Sequence, residues 1–511
     1  MAFYTIIGQP DCQLFAHAVY VAQYLSERMP NFKYRKILKS KLEWPDFVND
    51  LNKKNKWFMV KSPIIWKEIS GWGGKPYLLG GLSEFWDYCY CYYGFESWIA
   101  KKELEKLAHD NLTYFEENVY SMTHRTYNCL VTLMFDIDRL DFITYLIEEL
   151  LQVSELAKGK GLFIHLYKEE YEVDDSNEFR ELKSLEKYYN SLALYGNRPL
   201  VEIVRDDVAS IRNSDVLIFS ENFMRHANED EEIWVKRCLI RIRDMADLIN
   251  IYGKRELKVI FCNEGPICFM ATCLIECCTV LNPANIVALT ADKGLSIIEI
   301  VSRLTRVPVE KIGAPPVWGF IGFNQYVDET NIIFKANILK PYKRALTAPS
   351  NSTLPLGTIL PELRSMSYLL PNQHSIIANE VLKRQKSIEE KLGRKPFQAK
   401  LRALKSLLKL WFADDHNTNE NVISLGVCSD VLNHTGSNDI PPGLVFSQPC
   451  IRDQKHKWRP FSNSSTLISD ELKPILKEMI DEAVTVVKGA GLSINLFPFP
   501  ESASEQMLDL L

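Results

Sequence analysis

The sequence predicts an α/β protein with two kinds of sheet. A small β-α-β-α-β-β-α unit comes first, then a larger parallel, doubly wound sheet, then an α+β region. Three observations point there. Short apolar runs bounded by Gly, Pro and Asn recur along the chain. From Tyr127 onward these runs alternate with long helical stretches, the pattern of parallel strands joined by crossover helices. The chain has 511 residues, too many for one core of ordinary size.

Composition narrows the function classes. Apolar residues make up 46% and charged residues 24%, the balance of a globular protein, which excludes disordered and fibrous classes. Lys+Arg 60 against Asp+Glu 65 gives a net charge of −5 with no long block of like charge, so nucleic acid is not an expected partner. The longest apolar stretch, Val259 to Leu281, is interrupted by Asn263, Glu264, Gly265, Pro266 and Glu276, so no membrane span is expected. The N-terminus enters an apolar run at once without a basic leader, and a cytoplasmic location is the expectation. Several of the 12 cysteines, among them Cys262, Cys268, Cys273, Cys277 and Cys278, lie in apolar surroundings and read as reduced core thiols. Metal ligation is not expected.

In the first unit, Phe3 to Ile7 reads as a strand and Gly8-Gln9-Pro10-Asp11-Cys12 as a turn that brings a thiol to the start of a helix, His17 to Arg28. A helix N-terminus stabilises a thiolate, which makes Cys12 a redox candidate. A strand (Tyr34 to Leu38), a helix (Trp44 to Lys54), Ser62-Pro63-Ile64-Ile65-Trp66, and Tyr77-Leu78-Leu79-Gly80-Gly81 before a last helix complete the order. This arrangement resembles the glutaredoxin/thioredoxin fold, which implies a cis peptide at Pro63 and a cysteine pair beginning at Cys12. Residues Gln13, Leu14 and Phe15 follow Cys12, so the resolving cysteine is missing, and Gln9 stands where the resemblance implies a glutathione-binding lysine. A retained fold with an inert thiol is the preferred reading, and a monothiol redox site is the alternative. Cys89-Tyr90-Cys91 has the wrong spacing for a redox or zinc pair and reads as packing. The unit is expected to span residues 1–110, with a linker over 111–126.

The body, residues 127–292, shows strands Asn128 to Met134, Leu162 to Tyr167, Val216 to Phe219 and Lys258 to Cys262. Helices are expected over Leu140 to Leu156, a polar stretch ending near Asn190, and Glu232 to Tyr252. In such a sheet the first strand-to-helix turn holds a nucleotide pyrophosphate, provided glycines let the backbone approach. Lys158-Gly159-Lys160-Gly161 follows a helix and reads as its C-terminal turn rather than a phosphate site.

Several segments resemble the lactate/malate dehydrogenase family. Val317 to Asp328 is similar to V-I-W-G-N-H-S-x-x-Q-Y-P-D, in which the histidine is the acid-base catalyst; Ile321 takes its place. Leu289 to Ser296 is similar to L-T-R-L-D-H-N-R, with Ala291 for the arginine and Lys293 for the aspartate that orients the histidine, Asp292 being adjacent. Phe223 to Trp234 is similar to the substrate loop M-P-R-R-E-G-M-E-R-K-D-L: Arg225 keeps one arginine, and His226 and Glu231 replace the others within an acidic run. The nucleotide turn of the family, V-T-G-A-A-G-Q-I, is matched by Val131 to Asp138, where Leu133 and Asp136 replace both glycines and Met134 lies between them. The ribose-binding acid falls at Lys168, or at Glu169 after a one-residue shift. Ile423 to Asp430 and Ile440 to Pro449 carry structural positions of the same family. Together with Lys54-Asn55-Lys56-Trp57, the resemblance is to a malate dehydrogenase-like animal group with a glutaredoxin-like front.

It implies a Rossmann-like nucleotide domain, a C-terminal domain over 293–495 and an acidic tail over 496–511. An isoleucine can neither accept nor donate a proton, so the reaction loses its acid-base agent. The expectation is a pseudoenzyme with a structural or binding role and a protein partner, with dimerisation and a ciliary or flagellar setting as further implications of the resemblance. No bound cofactor is expected; NAD is the cofactor if the nucleotide site survives. The alternatives are an active NAD-dependent malate dehydrogenase and a monothiol oxidoreductase acting through Cys12.

Overall fold

The computed structural model describes residues 2–29, 32–69, 76–123, 125–136, 139–168, 177–192, 198–329, 331–340, 358–370, 374–393, 396–413, 422–428, 440–453, 456–461 and 472–492. In the N-terminal unit, β1 (Ala2–Gly8) pairs in parallel with β2 (Phe32–Leu38) and antiparallel with β3 (Ile64–Ile69), and β4 (Tyr77–Gly80) closes the order β2-β1-β3-β4. A parallel pair needs a crossover, and α1 (Gln13–Arg28) supplies it. This helix starts a turn earlier than the expected His17 because Cys12 takes the N-cap in extended backbone, φ −81 and ψ 114. Its buried face, Phe15, Ala18, Val19, Ala22 and Leu25, follows helical spacing, each large side chain contributing about 1.5–3 kcal/mol.

Helix α2 (Trp44–Asn55) carries Pro45 in its first turn and ends at Lys56 in left-handed backbone. The first turn of α3 (Leu82–Tyr93) is tied by the Gly81 N–H donating to the Glu84 carboxylate at 2.9 Å. The Ser62–Pro63 peptide is cis, as the resemblance implies. Helix α4 (Lys101–Thr123) packs along α1 and takes in most of the 111–126 stretch expected as a linker. Its Leu104, Leu107, Ala108 and Leu112 recur at helical spacing, which continues the helix past residue 110.

The body contains β5 (Cys129–Met134), α5 (Leu140–Leu151), α6 (Ser154–Ala157), β6 (Leu162–Tyr167), α7 (Asn177–Ser191), β7 (Val201–Val204), α8 (Asp207–Ile211), β8 (Val216–Phe219), α9 (Glu231–Tyr252), β9 (Lys258–Phe261), α10 (Ile267–Cys277) and β10 (Ile286–Leu289). These strands run β7-β6-β5-β8-β9-β10, all parallel, which is the doubly wound Rossmann order. Strand order reverses beside β5, so a crevice opens at the carboxyl ends of β5 and β8. The helix expected from Leu140 to Leu156 breaks where Val153 turns extended and buries its side chain. Lys158 to Gly161 is the expected helix-ending turn, with Lys158, Gly159 and Gly161 at positive φ.

Beyond β10 come α11 (Ala291–Leu295), α12 (Ile298–Thr305), the hairpin β11 (Val317–Trp318) with β12 (Tyr326–Val327), the ribbon β13 (Ile333–Lys340) with β14 (Thr358–Ser365), α13 (His374–Leu392), α14 (Gln398–Phe412), β15 (Ile423–Cys428), β16 (Val445–Arg452), β17 (Trp458–Pro460) and α15 (Leu472–Gly489). Strands β15, β16 and β17 add antiparallel to β10, giving one nine-stranded sheet. The expected division at 292/293 therefore falls inside α11, and the two regions share a sheet. Pairing with β15 covers the edge that β10 would otherwise expose. One apolar core lies under α5, α7 and α14, and the other under α9, α10 and α15. Covered on both faces, β5, β8 and β10 are buried throughout.

The N-terminal unit rests on this body. Tyr114 of α4 meets Tyr252 edge-on at 6.2 Å and lies 5.0 Å from the Arg212 guanidinium. The Thr279 hydroxyl donates to the Tyr34 carbonyl at 3.4 Å.

Candidate functional site

The crevice at the carboxyl ends of β5, β6 and β8 forms a cleft of about 450 Å³, lined by Phe135, Asp136, Tyr167, Lys168, Leu182, Glu221, Asn222, Phe223, Arg237, Ile240, Arg241 and Asp244. At its floor, Leu133 and Met134 are the last residues of β5 rather than part of the turn, and both are fully buried. The strand ends at Met134 as expected, and the resemblance to the nucleotide turn overlaps its last two residues. The apolar run carries the strand through Met134, and Leu133 packs in the core beneath α5. The turn proper begins at Phe135. Asp136 points across it, its carboxylate accepting the Asn222 N–H at 2.5 Å. An amide of the crevice is thus satisfied by the chain's own anion.

Lys168 is buried at the end of β6 with its ammonium 4.3 Å from the centre of the Phe179 ring. Glu169, the one-residue alternative, lies outside the described residues, as do Ile137, Asp138, Ser429 and Asp430. On α9, Arg241 pairs with Glu221 at 2.7 Å and Arg237 with Glu229 at 2.9 Å, so basic side chains near the cleft already hold carboxylates.

The segment resembling a substrate loop is folded on itself. Arg225 donates to the Glu229 carbonyl at 2.7 Å and stands 3.6 Å from the Glu231 carboxylate. The His226 N–H donates to Glu229 at 3.1 Å. Hydrogen bonds from Arg237 hold the Glu229 carboxyl down at about 2. Sequence reasoning identified the acidic run but missed Arg237, which lies outside the matched segment and reaches back from α9.

Ile321 sits in the turn of the β11–β12 hairpin, with Gly319 at φ 135 and Gly322 at φ 116. Only glycine suits Gly322: a Cβ there would come within 2.2 Å of the Pro266 Cα. The Ile321 side chain is 3% exposed and belongs to a core with Phe223, Trp234, Phe269 and Phe320. Phe323 stacks on Phe320 at 5.5 Å and tilts against Trp234 at 5.2 Å. The position that the resemblance gives to histidine is therefore packed with apolar side chains.

Asp292 and Lys293 open α11 and pair with each other at 3.4 Å. Asp292 beside it raises the Lys293 ammonium above its ordinary range, against the opposing effect of burial. They belong to a larger charged centre that no sequence motif marked. After β9, Glu264 accepts from Lys400 of α14 at 2.5 Å and lies 3.6 Å from Arg139. Arg139 also donates to the Ser220 carbonyl at 3.0 Å. Burial pushes the Glu264 carboxyl up, but Lys400, Lys293 and Arg139 outweigh it and hold the group at about 2. The Asp292 Oδ1 and the Asn263 Oδ1 are buried without a hydrogen-bond partner. Among the described residues no group of His, Cys, Asp and Glu could hold a metal ion. No described helix is long and apolar enough to cross a membrane.

Cys12 is partly buried, its thiol 3.6 Å from the Ser62 carbonyl. Phe15, where the resemblance implies a resolving cysteine, is fully buried with its ring where a Cβ on Gly8 would fall. No disulfide joins the 12 cysteines; Cys89 is buried and Cys91 exposed.

Residues 3–126 match the family model described as putative malate dehydrogenase 1B N-terminal domain. Proteins named putative malate dehydrogenase 1B are similar to 90% of this chain: one from Branchiostoma floridae, 23% identical with 83% of its own length covered, and one from Bos taurus, 25% identical with 90% covered. The chain is similar to the proteins named putative malate dehydrogenase 1B along most of its length. Its fold is shared with Trichomonas vaginalis lactate dehydrogenase in complex with NADH and oxamate, at TM-score 0.54 and 16% identity, over 71% of this chain and 98% of that one. The malate dehydrogenase-like assignment and the Rossmann-type architecture rest on these likenesses together with the strand order.

Proposed function

We propose that this chain keeps a lactate/malate dehydrogenase scaffold without the chemistry and acts as a binding or structural component for a protein partner. The observation that carries this reading is Ile321, buried in an apolar core at the position the resemblance gives to histidine. Proton transfer by a positioned side chain contributes about a hundred- to ten-thousand-fold to such reactions, and Ile321 has no titratable atom. The loop arginine Arg225 engages Glu229 and Glu231, so the charge that would meet a dicarboxylate is already spoken for.

The nucleotide crevice does not fit NAD. Asp136 sets a carboxylate where a pyrophosphate would approach, and Lys168 cannot accept from a ribose hydroxyl as an acidic side chain does. The rival reading, an active NAD-dependent malate dehydrogenase, draws on the persistence of the 450 Å³ cleft and on the neighbour that carries NADH and oxamate. A titration with NADH followed by melting temperature separates the two. A ligand at a hundred times its dissociation constant stabilises by about 2.7 kcal/mol, so the reading predicts no shift at millimolar NADH and is overturned by a saturable rise. Monothiol chemistry at Cys12 is the third reading, favoured only by the position of the thiol at the helix start.

A further inference from the structure

The charged centre at the ends of β9 and β10 brings together groups from four separate parts of the chain. Arg139 precedes α5, Glu264 follows β9, Asp292 and Lys293 open α11, and Lys400 comes from α14. The contacts are unequal. Lys400 lies 2.5 Å and Arg139 3.6 Å from the same Glu264 oxygen, and Lys293 acts on that carboxylate electrostatically while pairing with Asp292 at 3.4 Å. The Lys400 side chain is 8% exposed, and beyond Glu264 its ammonium meets the Asn263 carbonyl at 3.5 Å. A buried ammonium needs an anion, and Glu264 provides it from a loop whose own backbone is fixed: a Cβ on Gly265 would fall 2.5 Å from the Phe223 carbonyl.

We propose that Arg139, Lys293 and Lys400 form a carboxylate-binding site that Glu264 fills from within, so that the Glu264 side chain acts as an internal ligand. Two features support an internal ligand over an ordinary surface ion pair. The cations outnumber the carboxylates, Arg139, Lys293 and Lys400 against Glu264 and Asp292, so the centre without Glu264 is strongly positive. The guanidinium of Arg139 is already oriented by its bond to the Ser220 carbonyl, a pre-set donor of the kind that favours planar carboxylates. The ligand class is a small carboxylate, with the carboxylate group itself as the recognised element. This inference rests on the reading that the chain no longer carries out a turnover cycle.

The experiment uses the full chain and its Glu264→Ala, Glu264→Ser and Glu264→Gln variants. Melting temperatures are measured in chloride and in formate, acetate or oxalate at matched ionic strength. Glu264→Ala, which opens room for an added carboxylate, is expected to show a saturable upward shift of about 2–4 °C once the anion exceeds its dissociation constant several-fold, while wild type shows none. Adding Lys400→Met is expected to abolish the response. If Glu264→Ala folds only in the carboxylate buffers, that supports the proposal. If it folds in none of them, Glu264→Ser, which also opens room, carries the test with the same expected direction, and Glu264→Gln, which fills the site, is expected to show no shift. No carboxylate-specific shift in folded Glu264→Ala or Glu264→Ser, or an equal shift in wild type, overturns the proposal. Oxaloacetate-dependent oxidation of NADH by wild type would instead overturn the pseudoenzyme reading, so the two failures are distinguishable.

Discussion

Replacing Glu264 with Gln keeps the shape of the side chain and removes the charge that Lys400 and Arg139 share. Lys400 would then keep only neutral acceptors for its buried ammonium, the introduced amide oxygen and the Asn263 carbonyl at 3.5 Å. Removing one partner of a buried pair costs about 3–5 kcal/mol. A second route gives a similar figure. Folding takes the Glu264 carboxyl from 4.5 to about 2, burial opposing and Lys400, Lys293 and Arg139 prevailing, which is worth about 3 kcal/mol. Because the folded value is depressed, this stability is fully present above about pH 4.5 and is lost as pH falls toward 2. Melting curves between about pH 3 and pH 7 are the assay. Glu264→Gln is expected to melt well below wild type near neutrality, with the gap narrowing in acid. The double variant Glu264→Gln/Lys400→Met is expected to recover part of the loss, because it leaves no charge unpaired. Equal melting of wild type and Glu264→Gln near neutral pH, or strictly additive losses in the double variant, would refute the reasoning.

Other predictions address separate parts of the molecule. Arg237→Gln frees Glu229 from its strongest partner, so amide exchange over 223–230 should speed up; unchanged protection would mean that the loop holds without this latch. Ile321→His should not create malate dehydrogenase activity, because Asp292 is engaged by Lys293 and the surroundings are apolar, and it should destabilise the fold by about 1–3 kcal/mol through an unpartnered imidazole; a stable, active variant would contradict both points. At Cys12, thiol labelling should be detectable and lost in Cys12→Ser, with no glutathione-dependent reductase activity, since Phe15 occupies the resolving position; robust activity lost on that substitution would restore the oxidoreductase reading.

Much of the scaffold was legible because its strands are short apolar runs with sharp ends. Leu162 to Tyr167 and Val216 to Phe219 form over the expected residues, their side chains covered from both faces. Val201 to Val204 was missed, since four residues interrupted by Glu202 give little periodicity. The strand β5 ends at Met134 as expected, and the gapless resemblance to the nucleotide turn overlaps it, because Leu133 and Met134 pack beneath α5 and α9 as strand residues. Among the site residues, Ile321 could be singled out from the resemblance alone, because one position of that motif carries the acid-base chemistry. The Glu264–Lys400 pair could not, since 136 residues separate partners that only the completed sheet and α14 bring together. Arg237 escaped for a similar reason, lying on an amphipathic helix where a charged residue reads as solvated surface.

The most direct test of the central claim is a steady-state assay of NADH oxidation with oxaloacetate, using purified wild-type protein and an active malate dehydrogenase in parallel. Ile321 in its apolar core, Asp292 bound to Lys293, and Arg225 engaged by Glu229 and Glu231 predict no turnover above the rate without enzyme. Oxidation that depends on both substrates and proceeds at about 1 s⁻¹ or faster, the range typical of enzymes, would contradict it.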